Sequence, residues 1–447
     1  MLLNFQVANW ACFRDPMNFT MEAGPERDAG GHLVKIGAKS RPLKVLPVAA
    51  VYGNNASGKS QFIAALSFLR SLVIEEFKTG RLPLAPFLLD DTLAKEPTHF
   101  VIQFVVGDSV YELDVLLTDS EIRRETLSRY NSRNTDKTAI YVREGQKVVS
   151  CTWGGDAYCQ YVKTMNVDPT RLFLTLSAIF AAGKDELIAS VYNWFSRSLV
   201  IITPGSHYIG VDDYCTEGRI ADRTLDYLAR FDTGISRLDA EVVPLSAFHP
   251  TLLDEVRKLL TPGASHRRLL GNEVFVFSLD EKGELVARRL VALHAKAAGG
   301  EMPFPISLES EGTRRMLDFI PALARLTEPN QSMTFVVDEI DNKLHHLVTR
   351  ALVEDFIATC TADTRTQLIF TTHDLLLMDQ DLCRRDEMWV TDKAPDGRAT
   401  LADFASFEGL RKGTKIRDIY LDGRLGGIPR HIGELGAVIK EVAYANA

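Results

Sequence analysis

The chain is short of several things, and each shortage excludes a class of protein. Only six cysteines occur in 447 residues. Cys12, Cys151, Cys159, Cys215, Cys360 and Cys383 are scattered, and no two stand at C-x-x-C spacing. That argues against a disulfide framework or a zinc site and for reduced thiols in a cytoplasmic protein. No apolar run approaches the roughly 20 residues of a membrane-spanning helix. The N-terminus lacks the charged-then-apolar pattern of a secretory signal. The expectation is a cytoplasmic protein with no membrane partner. No heptad run is long enough for an extended coiled coil, and repeats and low-complexity segments are missing. Basic charge is in deficit: 51 Lys and Arg against 59 Asp and Glu leave a net charge of −8. Coating nucleic acid through bulk electrostatics is therefore not expected. Local basic clusters (Arg123-Arg124, Arg267-Arg268, Arg411-Lys412 with Lys415 and Arg417) leave phosphate contact open, although solvated surface is their ordinary reading. With 46% hydrophobic and 25% charged residues, the chain has room for two or three subdomains.

Against that plain background one stretch stands out. Val48 to Ser60 reads VAAVYGNNASGKS, an apolar strand running into Gly53-Asn54-Asn55-Ala56-Ser57-Gly58-Lys59-Ser60. The spacing is that of a phosphate loop, G-x-x-x-x-G-K-S. Gly53 and Gly58 permit backbone geometry that a Cβ would obstruct, so successive N–H groups turn inward around a phosphate chain. Lys59 is placed to reach the β- and γ-phosphates and Ser60 to offer its hydroxyl to Mg²⁺. The helix that follows, apolar at Phe62, Ile63, Leu66, Leu69, Leu72 and Val73, presents its positive end. The motif predicts binding of a nucleoside triphosphate.

Elsewhere, residues 2–21 alternate as a β-hairpin would. Thr98 to Leu117 reads as two strands joined by Gly107-Asp108. A further strand pair is expected over Glu121–Tyr130 and Thr138–Val149, and another hairpin over Glu273–Leu279 and Leu285–Leu293. Helical spacing marks Leu187–Leu199, Thr224–Leu238 and Pro250–Leu260. From Gly312 onward helices alternate with buried strands. Three regions are expected: 1–150, an N-terminal lobe with the phosphate loop and an antiparallel β subdomain; 151–300, a helical insert ending in a hairpin; and 301–447, the C-terminal core. The fold class is α/β, a P-loop fold with a mixed or parallel central sheet.

Three later motifs complete a nucleotide site. Met333 to Glu339, MTFVVDE, is an apolar run suited to a central parallel strand and ends in two acids at the strand edge where α/β sheets bind ligands. Asp338 is the candidate Mg²⁺ ligand, and Glu339 the residue that polarises an attacking water; capping the next helix is the plainer reading. Gln367 to Asp374, QLIFTTHD, is a second buried strand, which places His373 near a γ-phosphate. Ser310-Glu311-Gly312 precedes a helix from Arg314 to Leu326. It reads as a second anion-binding helix start, or alone as an ordinary N-cap.

The order of phosphate loop, serine-glycine signature, D-E strand end and strand-end histidine resembles that of ABC-class ATPases. The signature is S-E-G-T-R-R rather than L-S-G-G-Q, and no glutamine loop is evident, so the resemblance is to the stand-alone RecF/SMC/OLD branch. Within it the chain looks like the bacterial ATPases paired with toxic effectors in anti-phage and abortive-infection loci, of PARIS or Abi/Rlo type. Residues carrying this include Pro86-Phe87-Leu88-Leu89, Glu125-Thr126-Leu127, Phe231-Asp232-Thr233-Gly234-Ile235, Glu311-Gly312-Thr313-Arg314-Arg315, Asp338-Glu339-Ile340-Asp341 with Leu344-His345, Arg384 to Trp389, and Tyr420-Leu421-Asp422-Gly423-Arg424 with Gly427-Ile428-Pro429. The resemblance implies ATP as nucleotide and a homodimer in which Ser310 and Gly312 of one copy close over the triphosphate held by the other. Asp341 takes the position that couples the two sites. It further implies a separate effector, such as a TOPRIM or RNase-like nuclease, and a phage protein as trigger. Asp379-Gln380-Asp381 reads as exposed helical acids, not a nuclease site. The region Leu238–Leu270 is the candidate partner-docking insert. The alternative is a RecF-like ATPase acting directly on DNA in repair or recombination.

Overall fold

The computed structural model describes residues 1–25, 31–37, 42–77, 80–131, 136–180, 186–204, 228, 233–261, 265–271, 273–326, 332–407 and 415–428. The chain divides into two units. Met1–Thr203, Ser332–Ile340 and Ile357–Ala447 make the first; Pro204–Gln331 and Asp341–Phe356 make the second.

The first unit opens with β1 (Leu2–Ala8) and β2 (Met17–Thr20), which pair antiparallel. The short hairpin β3 (Val34–Ile36) and β4 (Leu43–Val45) leads to β5 (Val48–Gly53) and α1 (Lys59–Ile74). The antiparallel run β6 (Thr98–Val106), β7 (Ser109–Leu117), β8 (Ile122–Tyr130), β9 (Lys137–Glu144) and β10 (Lys147–Cys151) follows. The expected Thr138–Val149 strand is thus two strands, because Gly145 at φ 54 makes a turn inside it. Helices α2 (Gly155–Thr164), α3 (Phe173–Phe180) and α4 (Glu186–Asn193) come next, then β11 (Leu199–Ile202).

Two sheets result. One has seven strands in the order β10-β9-β8-β7-β6-β1-β2, and β6 buries alternate residues, as a sheet with one covered face must. Gln367 joins it to the second sheet: its side chain accepts the Leu2 N–H at 2.6 Å and donates to the Leu2 and Leu46 carbonyls at 2.9 and 3.1 Å. Phosphate-loop helix α1 is held from the other side. Buried Glu125 accepts the first N–H groups of α3 from Phe173 and Leu174, and Thr175 in α3 donates to the Val73 carbonyl of α1 at 2.7 Å.

The second unit is built on antiparallel strands: β12 (Ile235–Val243), β13 (Ser265–Leu270), β14 (Glu273–Leu279), β15 (Leu285–Ala295) and β16 (Glu301–Pro305). Their order is β12-β15-β14-β13, with β16 beside β15. Helix α5 (Pro250–Leu259) lies between β12 and β13, and α6 (Glu311–Leu326) follows β16. Of the helical stretch expected over Thr224–Leu238, all up to residue 232 except 228 lies outside the described residues, and its end, from Ile235, is strand. The Leu238–Leu270 insert, expected to be helical, is corrected likewise: among its described residues only α5 and a 3₁₀ turn at Leu245–Ala247 are helical. The reason is the period. Leu238 and Ala240 recur every second residue and pack against Val276, Leu290 and Ala292, with charged residues between them.

The remaining elements are β17 (Thr334–Val337), α7 (His346–Thr359), β18 (Gln367–Thr371), β19 (Met388–Lys393), β20 (Ala399–Asp403) and α8 (Ile416–Leu421). The second sheet of the first unit runs β11-β17-β18-β5-β19-β20, parallel except for the last pair. Every residue of β5, β17 and β18 is buried, as strands covered on both faces are. The Asp379–Asp381 acids form a turn rather than a helix: the Asp379 carboxylate accepts the Asp381 N–H at 3.0 Å, closing a side-chain turn that competes with helix formation.

Candidate nucleotide site

The parallel sheet sets the geometry of the site. β18 lies between β5 and β17, so the strand carrying Asp338 and Glu339 runs two strand spacings, roughly 9–10 Å, from the strand feeding the phosphate loop. All three strands point their C-terminal ends the same way, so their polar termini gather at one sheet edge.

At that edge the chain opens a cleft of about 630 Å³ lined by Asn54 through Gln61, Glu339 and His373, with Ala11, Cys12, Phe87, Leu89, Lys393 and Gly397 completing the wall. Every lining residue belongs to the first unit. The size suits a mononucleotide. Gly53 and Gly58 hold φ values of 148° and 122°, and a Cβ on Gly53 would lie 2.3 Å from Thr391 Oγ1 and 2.6 Å from Ser57 Oγ. A Cβ there would collide with the loop itself, so the glycine is required by close approach as well as by backbone angle. Ala56, at φ 61°, adds a left-handed residue at the crest. Asn55, Ala56 and Ser60 are exposed, while Ser57, Gly58 and Lys59 are buried beneath them. Lys59 Nζ donates to the carbonyls of Gly53 at 2.8 Å and Asn54 at 3.0 Å, folding the ammonium into the loop. The first turn of α1 carries no acid of its own to offset the helix's positive end.

Glu339 has φ 53°. A left-handed conformation at a non-glycine residue costs about 1–3 kcal/mol and gathers at functional sites. Here one hydroxyl holds it. Thr371 Oγ1 accepts the Glu339 N–H at 2.7 Å and donates to Asp338 Oδ1 at 2.6 Å, while the Thr371 carbonyl accepts the Ile340 N–H at 3.0 Å. Asp338 is buried behind the cleft wall and does not line it; Glu339, half-buried, and His373, exposed, do. The plainer expectation, that the two acids cap the next helix, does not hold: α7 begins only at His346.

Ser310, Gly312 and Asp341 belong to the second unit and are not among the cleft residues. Ser310 caps α6: its Oγ accepts the Thr313 N–H at 3.1 Å. A Cβ on Gly312 would lie 2.8 Å from the Lys343 carbonyl oxygen, and Glu311 forms an ion pair with Lys343 at 3.1 Å. The start of the signature helix is therefore packed against the segment that follows Asp341. The surface reading of the Arg123-Arg124 pair also holds, since these residues form exposed ion pairs with Glu121 and Asp114.

Sequence reasoning missed Thr371, Thr391, Cys12 and Lys393. Thr371 and Thr391 are strand residues whose roles depend on which strand lies beside them. Cys12 sits in the turn after β1; burial raises its thiol pKa above the ordinary range, with the nearby Lys393 ammonium opposing.

The residues fit the group the motif implies. The loop is a cradle that a Cβ would fill, and Ser60 hydroxyl with Asp338 carboxylate is an oxygen donor set suited to Mg²⁺. No helix among the described residues is long and apolar enough to cross a membrane, and no group of three or more metal-ligating side chains occurs among them.

No curated protein matches the chain. Among solved structures, the SMC head domain from Thermotoga maritima is 12% identical, covering 90% of this chain and 98% of that one at a TM-score of 0.32. The family model described as "AAA domain, putative AbiEii toxin, Type IV TA system" matches residues 48–179 and 220–379, well over half of the chain and all of the phosphate loop, Asp338, Glu339 and His373. The chain belongs to this AAA-domain family of P-loop ATPases.

Proposed function

We propose that the chain binds ATP with Mg²⁺ in the cleft and hydrolyses it, as the ATPase subunit of a bacterial anti-phage system that controls a separate effector. The observation carrying the proposal is the convergence of the phosphate loop, Glu339 and His373 on one cleft of about 630 Å³. Magnesium, when bound, would neutralise developing phosphate charge; Ser60 would hold it directly and Asp338, behind the cleft wall, through a water. The rest falls to the chain. The N–H groups of residues 54–60 and the Lys59 ammonium bind the phosphates. Glu339, fixed by Thr371, orients a water and accepts its proton at a carboxylate oxygen. His373, just beyond the end of β18 between β5 and β17, hydrogen-bonds the γ-phosphate.

In the same proposal Ser310 and Gly312 act in trans, completing the site of a second copy, with Asp341 beside the junction. ATP then works as a latch, because a ligand shifts an equilibrium only by its differential affinity for two states and the interchain contacts provide that difference. The family's association with a type IV toxin–antitoxin system supports a separate partner protein; in this proposal that partner is a nuclease-like effector and the trigger is of phage origin. The test is Lys59→Ala. Loss of ATP binding by calorimetry, together with loss of protection against phage in cells, is the expected outcome; wild-type ATP affinity in the variant refutes the site.

A further inference from the structure

The C-terminal described segment, residues 415–428, is packed against the start of the phosphate loop, and three backbones share one layer there. Thr391, near the end of β19, meets the loop on one side. Its Oγ1 lies 2.5 Å from Ser57 Oγ, and its carbonyl oxygen would lie 2.7 Å from a Cβ on Gly53. On the other side lies Gly427. A Cβ on Gly427 would stand 2.5 Å from Val390 Cγ2, 3.1 Å from the Thr391 carbonyl oxygen and 3.3 Å from Gly53 Cα. No side chain fits between them.

Side-chain hydrogen bonds on both faces of the peptide hold Gly427 in place. Its N–H donates to Asp392 Oδ1 at 3.0 Å, and its carbonyl accepts the buried Tyr420 hydroxyl at 2.8 Å. Burial, and then the charge of Asp392, push the Tyr420 pKa up to about 12, so at neutral pH the phenol is a donor. Gly426 and Gly427 are left-handed, at φ 71° and 69°, which bends the segment back towards β19. Ile428 then lines a small cavity of about 220 Å³ together with Asn54 through Ser57 and Asp392 to Ala394. Asn54 to Ser57 and Lys393 also line the nucleotide cleft, whereas Tyr420, Gly427 and Ile428 do not, so the segment meets the loop without entering the cleft.

We propose that residues 420–428 are a strap that holds the phosphate loop in its anion-receptive form, with Tyr420, Asp392 and Gly427 as positioning residues for triphosphate binding. The proposal rests on the nucleotide reading above and adds a regulatory contact to it. If the strap is seated in only a fraction of molecules, apparent affinity falls by that fraction, and nucleotide must favour the seated form by the same factor. A partner or modification that lifts Tyr420 to Ile428 away would lower ATP affinity without touching any residue of the cleft.

The test uses the full chain. ATP binding by calorimetry, nucleotide-free melting temperature, and amide exchange over residues 415–428 with and without ATP are measured for wild type, Asp392→Ala, Asp392→Asn, Tyr420→Phe and Gly427→Val. Expected are about tenfold weaker binding in Asp392→Ala and Gly427→Val, a normal coupling magnitude, with smaller loss in Tyr420→Phe. Asp392→Asn, which keeps an acceptor oxygen, stays near wild type. In wild type, ATP slows exchange at Gly426 and Gly427. The strap is refuted if wild type binds ATP and the variants bind it equally, or if weaker binding tracks a drop in nucleotide-free melting temperature while ATP leaves exchange over 420–428 unchanged. Failure of wild type to bind ATP refutes the nucleotide reading instead.

Discussion

Replacing Thr371 by valine removes one hydroxyl and keeps the bulk of a fully buried side chain. That hydroxyl makes two contacts whose loss is costly: it donates to Asp338 Oδ1 at 2.6 Å and accepts the Glu339 N–H at 2.7 Å. A hydrogen bond to a charged group contributes about 1.5–3 kcal/mol, and a donor left without a partner away from water costs about 1–3 kcal/mol. The sum, less a small gain from the added methyl, is about 2–5 kcal/mol. All four tryptophans, Trp10, Trp153, Trp194 and Trp389, lie in the unit that contains Thr371, so intrinsic fluorescence in a urea titration reports on the right part of the chain. With an m-value of about 3 kcal/mol/M, the midpoint falls by about 0.7–1.7 M. Thr371→Ser, which keeps the hydroxyl, costs about 1 kcal/mol for the lost methyl. The valine change also releases the left-handed backbone of Glu339, and hydrolysis falls about 10²-fold through misplacement of its carboxylate, with ATP affinity little altered. If the valine variant shifts the midpoint no further than the serine variant and hydrolyses ATP at the wild-type rate, the hydroxyl does not organise the acidic edge.

Three further perturbations separate the parts of the proposed mechanism. Glu339→Gln keeps ATP binding, slows single-turnover hydrolysis by at least about 10²-fold, and accumulates an ATP-dependent dimer in analytical ultracentrifugation; unchanged turnover removes Glu339 from its role. Ser310→Asp preserves the helix cap, since aspartate accepts the same N–H, but sets a negative charge against any phosphate closed over it, so ATP-driven association is lost while ATP binding to the single chain stays. An Asp variant that dimerises on ATP like wild type dismisses the interchain site. Gly312→Ala drives a Cβ to within 2.8 Å of the Lys343 carbonyl oxygen; a destabilisation of about 1–3 kcal/mol is expected, read as a lower melting temperature of the second unit, and a neutral result shows that the Lys343 segment yields freely.

The elements that were legible beforehand are those whose signal is local. The Thr98–Leu117 hairpin follows from alternation and a Gly-Asp turn, and the structure pairs Thr98 with Leu117 through to Val106 with Ser109. The phosphate loop is likewise local, because its function lies in consecutive backbone N–H groups. Errors came where short runs fit two periods: Ile235 to Val243 carries apolar residues that read as a helix from one end and as a strand from the other, and the neighbouring strands of its sheet decided. Asp379 to Asp381 fits a helix by composition, but the Asp379 carboxylate takes the backbone N–H that a helix would need.

The sequence by itself determined that a strand feeds a triphosphate cradle, that Glu339 and His373 end buried strands, and that the chain mixes parallel and antiparallel sheets. Only the tertiary structure decided that β18 stands between β5 and β17, and with it that Thr371 holds Asp338 and Glu339, that Thr391 braces Ser57, and that Gly427 lies against Gly53. Period and composition are properties of neighbours along the chain, whereas a hydroxyl between two acids, or two glycines in contact from opposite ends of the sequence, depends on which strands the core brings side by side.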